Sequence, residues 1–374
     1  MRILFTGGGT GGHIFPIVAV ARQLNKIYQS AEQTETLEMY FLGAGGLTDI
    51  LIKEGIKVKT ILAGKMRRYF SLMNIVDLFK LPISLIQAFF YLYFWMPDVI
   101  FSKGGYGSLS VVLVAWLYRI PVLVHESDTI PGLANKLGGK LAKRVAVGFV
   151  SAEKYFSEKR TAFIGNPIRP ELAQLCLAAN QENIQKARTF FGLNEQKPII
   201  FIVGGSQGAQ AINELVLIVL PKLLEKYQVI HQVGNNNLEQ VKLILGQNLP
   251  TDYHIYGFLE ENQMAAAYLL ADLIVSRAGA GTISEIAICA KPSILIPLPQ
   301  SAGDHQRSNA FAYAQAGAAT VVEQSNLTPN IFLGEIIQIL DNPELKQKMA
   351  ANAKNFSQPE AAIKIVQELI EICQ

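Results

Sequence analysis

The chain has 374 residues, of which half are hydrophobic and 17% are charged. That length exceeds one ordinary core and predicts two domains, and the composition excludes a disordered chain. The net charge of +3 is unevenly spread: residues 1–166 hold 19 Lys+Arg against 11 Asp+Glu, and residues 167–374 hold 14 against 19. A basic first half points toward an anionic surface, nucleic acid or membrane; a chance imbalance over a large surface is the competing reading. The three cysteines, Cys176, Cys289 and Cys373, stand isolated without metal-type spacing. They predict a reducing compartment and no structural zinc. The N-terminus lacks the apolar core of a signal peptide, so export is not expected.

In chain order, residues 3–5 read as a short apolar strand entering Gly7-Gly8-Gly9-Thr10-Gly11-Gly12-His13, with a helix continuing through 16–24. Residues 37–42, 98–101 and 122–124 read as further buried strands of a parallel sheet. Two prolines within Gly165-Asn166-Pro167-Ile168-Arg169-Pro170 mark a linker. The pattern then restarts. Residues 199–203 run into Gly204-Gly205-Ser206-Gln207-Gly208, strands follow at 229–232 and 253–256, and 273–275 feeds Ala278-Gly279-Ala280-Gly281-Thr282-Ile283-Ser284-Glu285. One more strand is expected at 293–297. The tail from Ser357-Gln358-Pro359-Glu360 has capping-box spacing and helical periodicity. This alternation predicts an α/β fold of two Rossmann-like, doubly wound parallel-sheet domains, with ligands at the carboxyl ends of the strands.

One stretch stands apart. Residues 81–96, ending at Met96, are almost wholly apolar, with Lys65, Arg67, Arg68 and Lys80 upstream and Asp77 the only acid among them. Sixteen helical residues reach roughly 24 Å, short of the roughly 30 Å hydrocarbon core, so a spanning helix is not expected. Aromatics beside basic residues suit a membrane interface rich in anionic lipid. A buried helix is the alternative, and the expectation is one packed face with part of the aromatic face exposed.

Each motif has a plain reading beside its functional one. Gly7, Gly9 and Gly12 satisfy the dinucleotide-binding spacing, but the second strand ends in Leu42-Gly43-Ala44-Gly45-Gly46 without the acid that a ribose needs. No Gly-Lys-Ser/Thr follows the glycines, which excludes a P-loop. His13, at the start of a helix, is a candidate base or only a brace for the turn. Thr282 and Glu285 have capping-box spacing, which competes with Glu285 accepting ribose hydroxyls. Ser206 offers a hydroxyl to a phosphate or merely completes its turn. Polar segments at His125-Glu126-Ser127-Asp128 and at 303–309 follow strand ends, and Lys103-Gly104-Gly105-Tyr106-Gly107-Ser108 is a fourth glycine-rich turn.

Taken together, GGGTGGHIFP at 7–16, SKGGYGS at 102–108, HESDTIPGLANK at 125–136, GNPIRPE at 165–171, GGSQGAQ at 204–210, AGAGTISE at 278–285 and DHQRSNA at 304–310 resemble the MurG family of glycosyltransferase family 28, nearly end to end. The resemblance implies a GT-B fold, two Rossmann-like domains facing across a cleft. An acceptor and membrane-facing domain is expected over 1–166 and a UDP-sugar domain over 167–356, with a helix at about 357–374 packing back on the first. It implies inverting transfer of N-acetylglucosamine from UDP-N-acetylglucosamine to the C4 hydroxyl of undecaprenyl-pyrophosphoryl-muramoyl-pentapeptide. The enzyme would sit peripherally on the cytoplasmic face of the plasma membrane, held through residues 65–96, with no cofactor, no metal and no nucleic-acid partner.

The resemblance also implies roles. Backbone around Phe258 and Leu259 would meet the uracil, Glu285 the ribose, Ser206, Gly281 and Thr282 the pyrophosphate, and Arg169 would help with the nucleotide. Gln306, Ala280, Thr10, Gly11 and Gly12 would reach the sugar. Asp128 stands where many members place a sugar-contacting asparagine. The acceptor pyrophosphate would lie near Gly9, Gly104, Gly105 and Tyr106. His13 is the first candidate base and Glu126 the second. A diacylglycerol glycosyltransferase, a UDP-sugar 2-epimerase and a non-enzymatic nucleotide-sugar scaffold are the competing functions, of which only a lipid acceptor or membrane role explains residues 65–96.

Overall fold

The computed structural model describes residues 1–30, 36–64, 72–193, 197–205, 208–246, 249–299 and 301–373. Two compact units divide the chain, Met1–Arg169 with Pro359–Gln374, and Pro170–Gln358.

The first unit holds strands β1 (Arg2–Thr6), β2 (Glu38–Gly43), β3 (Lys57–Thr60), β4 (Val99–Ser102), β5 (Val122–Glu126), β6 (Arg144–Val147) and β7 (Thr161–Phe163). They form one sheet in the order β3-β2-β1-β4-β5-β6-β7, every pair parallel. Its helices are α1 (Gly11–Ser30), α2 (Thr48–Lys53), α3 (Leu72–Trp95), α4 (Ser108–Leu117) and α5 (Leu133–Leu141), and the chain's last helix returns to it. That helix, Ala361–Cys373, turns Ala361, Ile365, Val366, Leu369 and Ile372 into the core between α1 and the sheet. At about 1.5–3 kcal/mol per large buried side chain, this stripe anchors the tail firmly. The opposite face is covered by α3 and α4, whose Ser84 and Ser110 hydroxyls meet at 2.5 Å.

The second unit repeats the plan. Its strands β8 (Ile199–Val203), β9 (Gln228–Gln232), β10 (Tyr253–Tyr256), β11 (Leu273–Ser276), β12 (Ser293–Leu295) and β13 (Ala319–Val321) lie in the order β10-β9-β8-β11-β12-β13, all parallel. Its helices are α6 (Pro170–Leu177), α7 (Gln181–Phe191), α8 (Gln210–Lys226), α9 (Asn235–Leu245), α10 (Glu261–Leu270), α11 (Ala280–Ile288), α12 (His305–Gln315), α13 (Pro329–Leu340) and α14 (Pro343–Phe356), and the returning helix is α15. In both sheets the order reverses beside the first strand, between β1 and β4 and between β8 and β11. Open α/β sheets bind ligands at such points, outside the carboxyl ends of the strands.

The two-domain parallel α/β expectation holds, with four local corrections. Cys176 and Cys289 are not isolated: a disulfide joins them, their Cα atoms 4.9 Å apart. Their separation of 113 positions in sequence hides that α6 packs on the end of α11. The helix carrying Thr282 begins two residues early, at Ala280 with Gly279 as its cap, so Thr282 lies inside the first turn and no side chain caps it. Ser357 likewise turns back, donating to the Lys354 carbonyl at the end of α14. The apolar stretch belongs to a longer helix, α3, which begins at Leu72.

Candidate active site

Three backbone segments crowd the carboxyl ends of β1, β2 and β4. A side chain on Gly9 would begin 1.8 Å from the Gly45 carbonyl oxygen, and one on Gly43 2.5 Å from the Gly7 oxygen. One on Gly107 would begin 2.6 Å from the Ala44 amide. Glycine is required here because backbone packs on backbone. The turn after β4 has two successive residues in the left-handed region, Gly104 (φ 83°) and Gly105 (φ 88°). It closes on the first loop, since a Cβ on Gly105 would lie 2.9 Å from the Gly8 amide and 3.6 Å from His13 Nε2.

His13 is therefore at the meeting of the two loops. Its amide donates to the Thr10 carbonyl at 2.9 Å, and its Nδ1 lies 2.9 Å from Thr10 Oγ1. Thr10 and Gly12 are exposed, and Gly9, Gly11 and His13 are half-buried. Tyr106, 44% exposed, stands on the next turn.

The end of β5 supplies a buried polar cluster. Glu126 is 4% exposed, and its carboxylate accepts from the Asp128 amide (2.9 Å), the Gly132 amide (3.1 Å) and Asn135 Nδ2 (2.9 Å). Burial raises its pKa, with the nearby Asp128 charge adding to the effect. Asn135 also donates to the His125 carbonyl, and His125 Nε2 lies 2.9 Å from the Gly165 carbonyl oxygen. Burial, helped by the Lys103 charge, holds the His125 imidazole well below its ordinary value and hence neutral. Lys103, 2% exposed, has its ammonium on Ser127 Oγ, and burial lowers its pKa to about 8. Arg169 lies buried in the same unit, its guanidinium 5.2 Å from the Phe15 ring centroid.

In the second unit the loop after β8 reaches Gly205 (φ 88°) and resumes at Gly208 (φ 77°); Ser206 lies outside the described residues. Gln232, at the carboxyl end of β9, ties this loop to the next segment. Its Nε2 donates to the Gly205 carbonyl at 3.1 Å and its Oε1 accepts the Leu259 amide at 2.9 Å. The Leu259 N–H is thus engaged within the protein, while the Phe258 ring is 42% exposed. After β11, the bare start of α11 presents Ala280, Gly281 and Thr282, with open space around Gly281. Such a helix start favours an anion. Glu285 lies one turn further along and accepts from the Tyr268 hydroxyl at 3.0 Å. Gln306 opens α12; its Oε1 accepts the Leu298 amide at 3.0 Å, so its NH2 is the end left to offer a ligand.

Of the residues singled out in the sequence, Gly9 to His13, Gly104 to Tyr106 and Glu126 lie in or beside the packed loops of the first unit, and Leu259, Ala280 to Thr282 and Gln306 follow strands of the second. Sequence reasoning missed Lys103, Asn135, Gln232 and Tyr268. A polar residue at the carboxyl end of a buried strand was the available signal for Lys103 and Gln232. Asn135, in the first turn of α5, and Tyr268, in the last turn of α10, carried none.

A glycine-lined switch point in each of two parallel-sheet units suits an enzyme that handles phosphate-bearing, nucleotide-type substrates. Residues 3–147 match the glycosyltransferase family 28 N-terminal domain, and residues 199–365 match the family's C-terminal domain. Two curated relatives, from Anaeromyxobacter sp. and Bacillus cereus, are each 36% identical. The first match covers 100% of this chain and 92% of the relative, the second 99% of each. Both are named UDP-N-acetylglucosamine–N-acetylmuramyl-(pentapeptide) pyrophosphoryl-undecaprenol N-acetylglucosamine transferase, the Bacillus cereus protein being number 2. The crystal structure of Acinetobacter baumannii MurG superposes with a TM-score of 0.73 at 29% identity, over 99% of this chain and 100% of that one. A UDP-GlcNAc 2-epimerase from Neisseria meningitidis shares the fold alone, at 17% identity and a TM-score of 0.68. The chain belongs to glycosyltransferase family 28 and, within it, to the MurG family of N-acetylglucosamine transferases.

Proposed function

We propose that this chain transfers N-acetylglucosamine from UDP-N-acetylglucosamine to the C4 hydroxyl of undecaprenyl-pyrophosphoryl-N-acetylmuramoyl-pentapeptide, inverting the anomeric centre, at the cytoplasmic face of the plasma membrane. The full-length 36% identity to transferases of that name carries the reading.

The loop chemistry supports it. The second unit is the donor side. Its α11 start at Ala280, Gly281 and Thr282 stabilises the leaving diphosphate by helix dipole and backbone N–H groups, and the family resemblance adds the Ser206 hydroxyl as a further donor. Glu285, oriented by Tyr268, accepts the ribose hydroxyls. Uracil contact falls to the Phe258 ring and the Leu259 carbonyl, because the Leu259 N–H is held by Gln232. The Gln306 NH2 is the group of the second unit that would meet the sugar; Thr10, Gly11, Gly12 and Asp128 remain the further sugar contacts that the family resemblance implies.

The first unit is the acceptor side, with the acceptor pyrophosphate over Gly9, Gly104, Gly105 and Tyr106. When His13 Nδ1–H donates to Thr10 Oγ1, Nε2 carries the lone pair and takes the acceptor hydroxyl proton. Glu126, its carboxylate spent on three donors, shapes the 127–132 turn rather than moving a proton. Arg169, its guanidinium over the Phe15 ring in the first unit, keeps the role toward the nucleotide that the family resemblance implies.

The test is to incubate the protein with UDP-N-acetylglucosamine and the lipid-linked acceptor in detergent, following UDP release and the mass of the lipid. A gain of one N-acetylhexosamine on the lipid is the expected result. Unchanged lipid, with UDP-N-acetylglucosamine still bound, would overturn the assignment and favour another acceptor.

A further inference from the structure

Among the described residues, Lys103 is the strongly buried cation beside the first unit's glycine turns that the reading above leaves without work. Its ammonium has three N–H donors, and its partner among the described residues is the Ser127 hydroxyl. The Glu126 and Asp128 carboxylates supply a compensating field, but two of the three N–H donors are still to be placed in a buried site. The side chain leaves β4 where the loops meet, for a Cβ on Gly7 would lie 3.5 Å from Lys103 Cβ. Ser127 is half-buried, at the edge of the same cluster, with Asp128 next to it. Accepting from Lys103 leaves the Ser127 O–H as a donor, and an ammonium behind it strengthens that donor.

We propose that Lys103 and Ser127 form a charge-assisted donor pair for a phosphate: the ammonium donates to Ser127 Oγ, and the Ser127 O–H donates on to a phosphoryl oxygen seated over the Gly8 and Gly105 turns. The pair rests on the acceptor assignment above and adds to it the positive charge that backbone turns alone lack. Asn135 fixes the platform from beneath, since its amide lies 2.5 Å from where a Gly104 side chain would begin.

The charge state gives the pair a signature. Lys103 is protonated below about pH 8 and loses its charge above it. Groups facing it are Glu126 and Asp128 at the end of β5, which hold the proton on, together with His125 of β5 and His13 of α1. No residue of α4 is charged, and Arg2 is at the far end of β1. The kcat/KM for acceptor, which reports the free enzyme, therefore falls as pH rises through about 8.

The experiment measures steady-state transfer by the full chain for wild type, Lys103→Met, Ser127→Ala and the double variant. Each single change is expected to raise the acceptor KM about 10- to 100-fold, the range of one hydrogen bond to a charged group. The double variant should be little worse than either, because both remove the same contact. The KM for UDP-N-acetylglucosamine should hold, and the alkaline fall should vanish in Lys103→Met.

Independent, additive losses, an equal shift in both KM values, or an alkaline fall that survives in Lys103→Met would each overturn the pair. If Lys103→Met fails to fold, the Ser127→Ala KM shift and the wild-type pH profile decide. Should the wild type transfer no sugar to this acceptor, the functional reading fails separately. Titration with inorganic pyrophosphate, the donor site saturated with UDP, then tests the pair alone. Binding at least about tenfold tighter in wild type than in Lys103→Met sustains it, and equal binding sinks it.

Discussion

His13 and Glu126 share one loop cluster but differ in what their polar atoms already do. Thr10 takes one nitrogen of His13, whereas the Glu126 carboxylate accepts three protein donors. His13→Gln should therefore lower kcat by about 10²- to 10⁴-fold, the usual worth of a positioned base, with stability kept. Glu126→Gln puts an NH2 against donors and should cost about 1–3 kcal/mol of stability and raise the acceptor KM. Kinetics with urea unfolding of both variants checks this. A Glu126→Gln protein of normal stability whose kcat alone collapses would make Glu126 the base. Buried histidines add a pH dependence. His125 and His231 are both held neutral by burial, His231 down to about 3 from an ordinary 6.5. Below pH 6.5 the unfolded chain takes protons that the folded chain refuses, so stability falls as pH drops. Each histidine contributes a limiting slope of about 1.4 kcal/mol per pH unit. Urea midpoints measured from pH 7 to pH 5 should decline, and a flat series would contradict the neutral burial of these rings.

At the scale of elements, what was legible followed burial. β8 stands at the predicted residues, and β1, β4, β5, β9 and β11 differ only at their ends, because a strand buried on both faces reads as an apolar run; β10, an edge strand with only Tyr253 fully buried, also stands where it was predicted. Lys57–Thr60, Thr161–Phe163 and Ala319–Val321 went unread: they are edge strands, half-exposed, short and partly polar. β6 escaped as four residues opening on an arginine. The glycine turns were visible because close backbone approach admits no other residue, and Gly9 against Gly45 shows it. Capping was the weakest inference. Thr282 and Glu285 have the right spacing, but the glycines before them let α11 start earlier, which turns Glu285 to Tyr268 instead. Long-range partners such as Cys176 with Cys289 left no local trace at all.

For the whole molecule, the charge division follows the compact units. Unit one holds 21 Lys+Arg against 14 Asp+Glu, and unit two 12 against 16. Unit one also carries the exposed apolar face. On α3, Ile83, Ile86, Phe90, Tyr93 and Phe94 point to solvent, Phe94 at 73% exposure, while Ser84, Ala88 and Leu92 are buried. Trp116 and Leu117, at the end of α4, are also exposed, at 59% and 60%. No helix among the described residues is long and apolar enough to cross a membrane. An apolar helix face on a basic unit suits attachment to an anionic lipid surface, where burial and charge contribute separately and salt distinguishes them. Flotation with vesicles of phosphatidylglycerol and phosphatidylcholine should therefore show two behaviours. Raising the salt from about 0.05 to 0.5 M shortens the screening length to a few ångströms and should weaken wild-type binding several-fold. Phe90→Ser with Phe94→Ser should weaken it at every salt concentration, while binding of UDP is kept. Binding indifferent to both changes would remove α3 as the membrane face. Sensitivity to salt alone would leave the basic surface as the attachment and give the exposed aromatics another role.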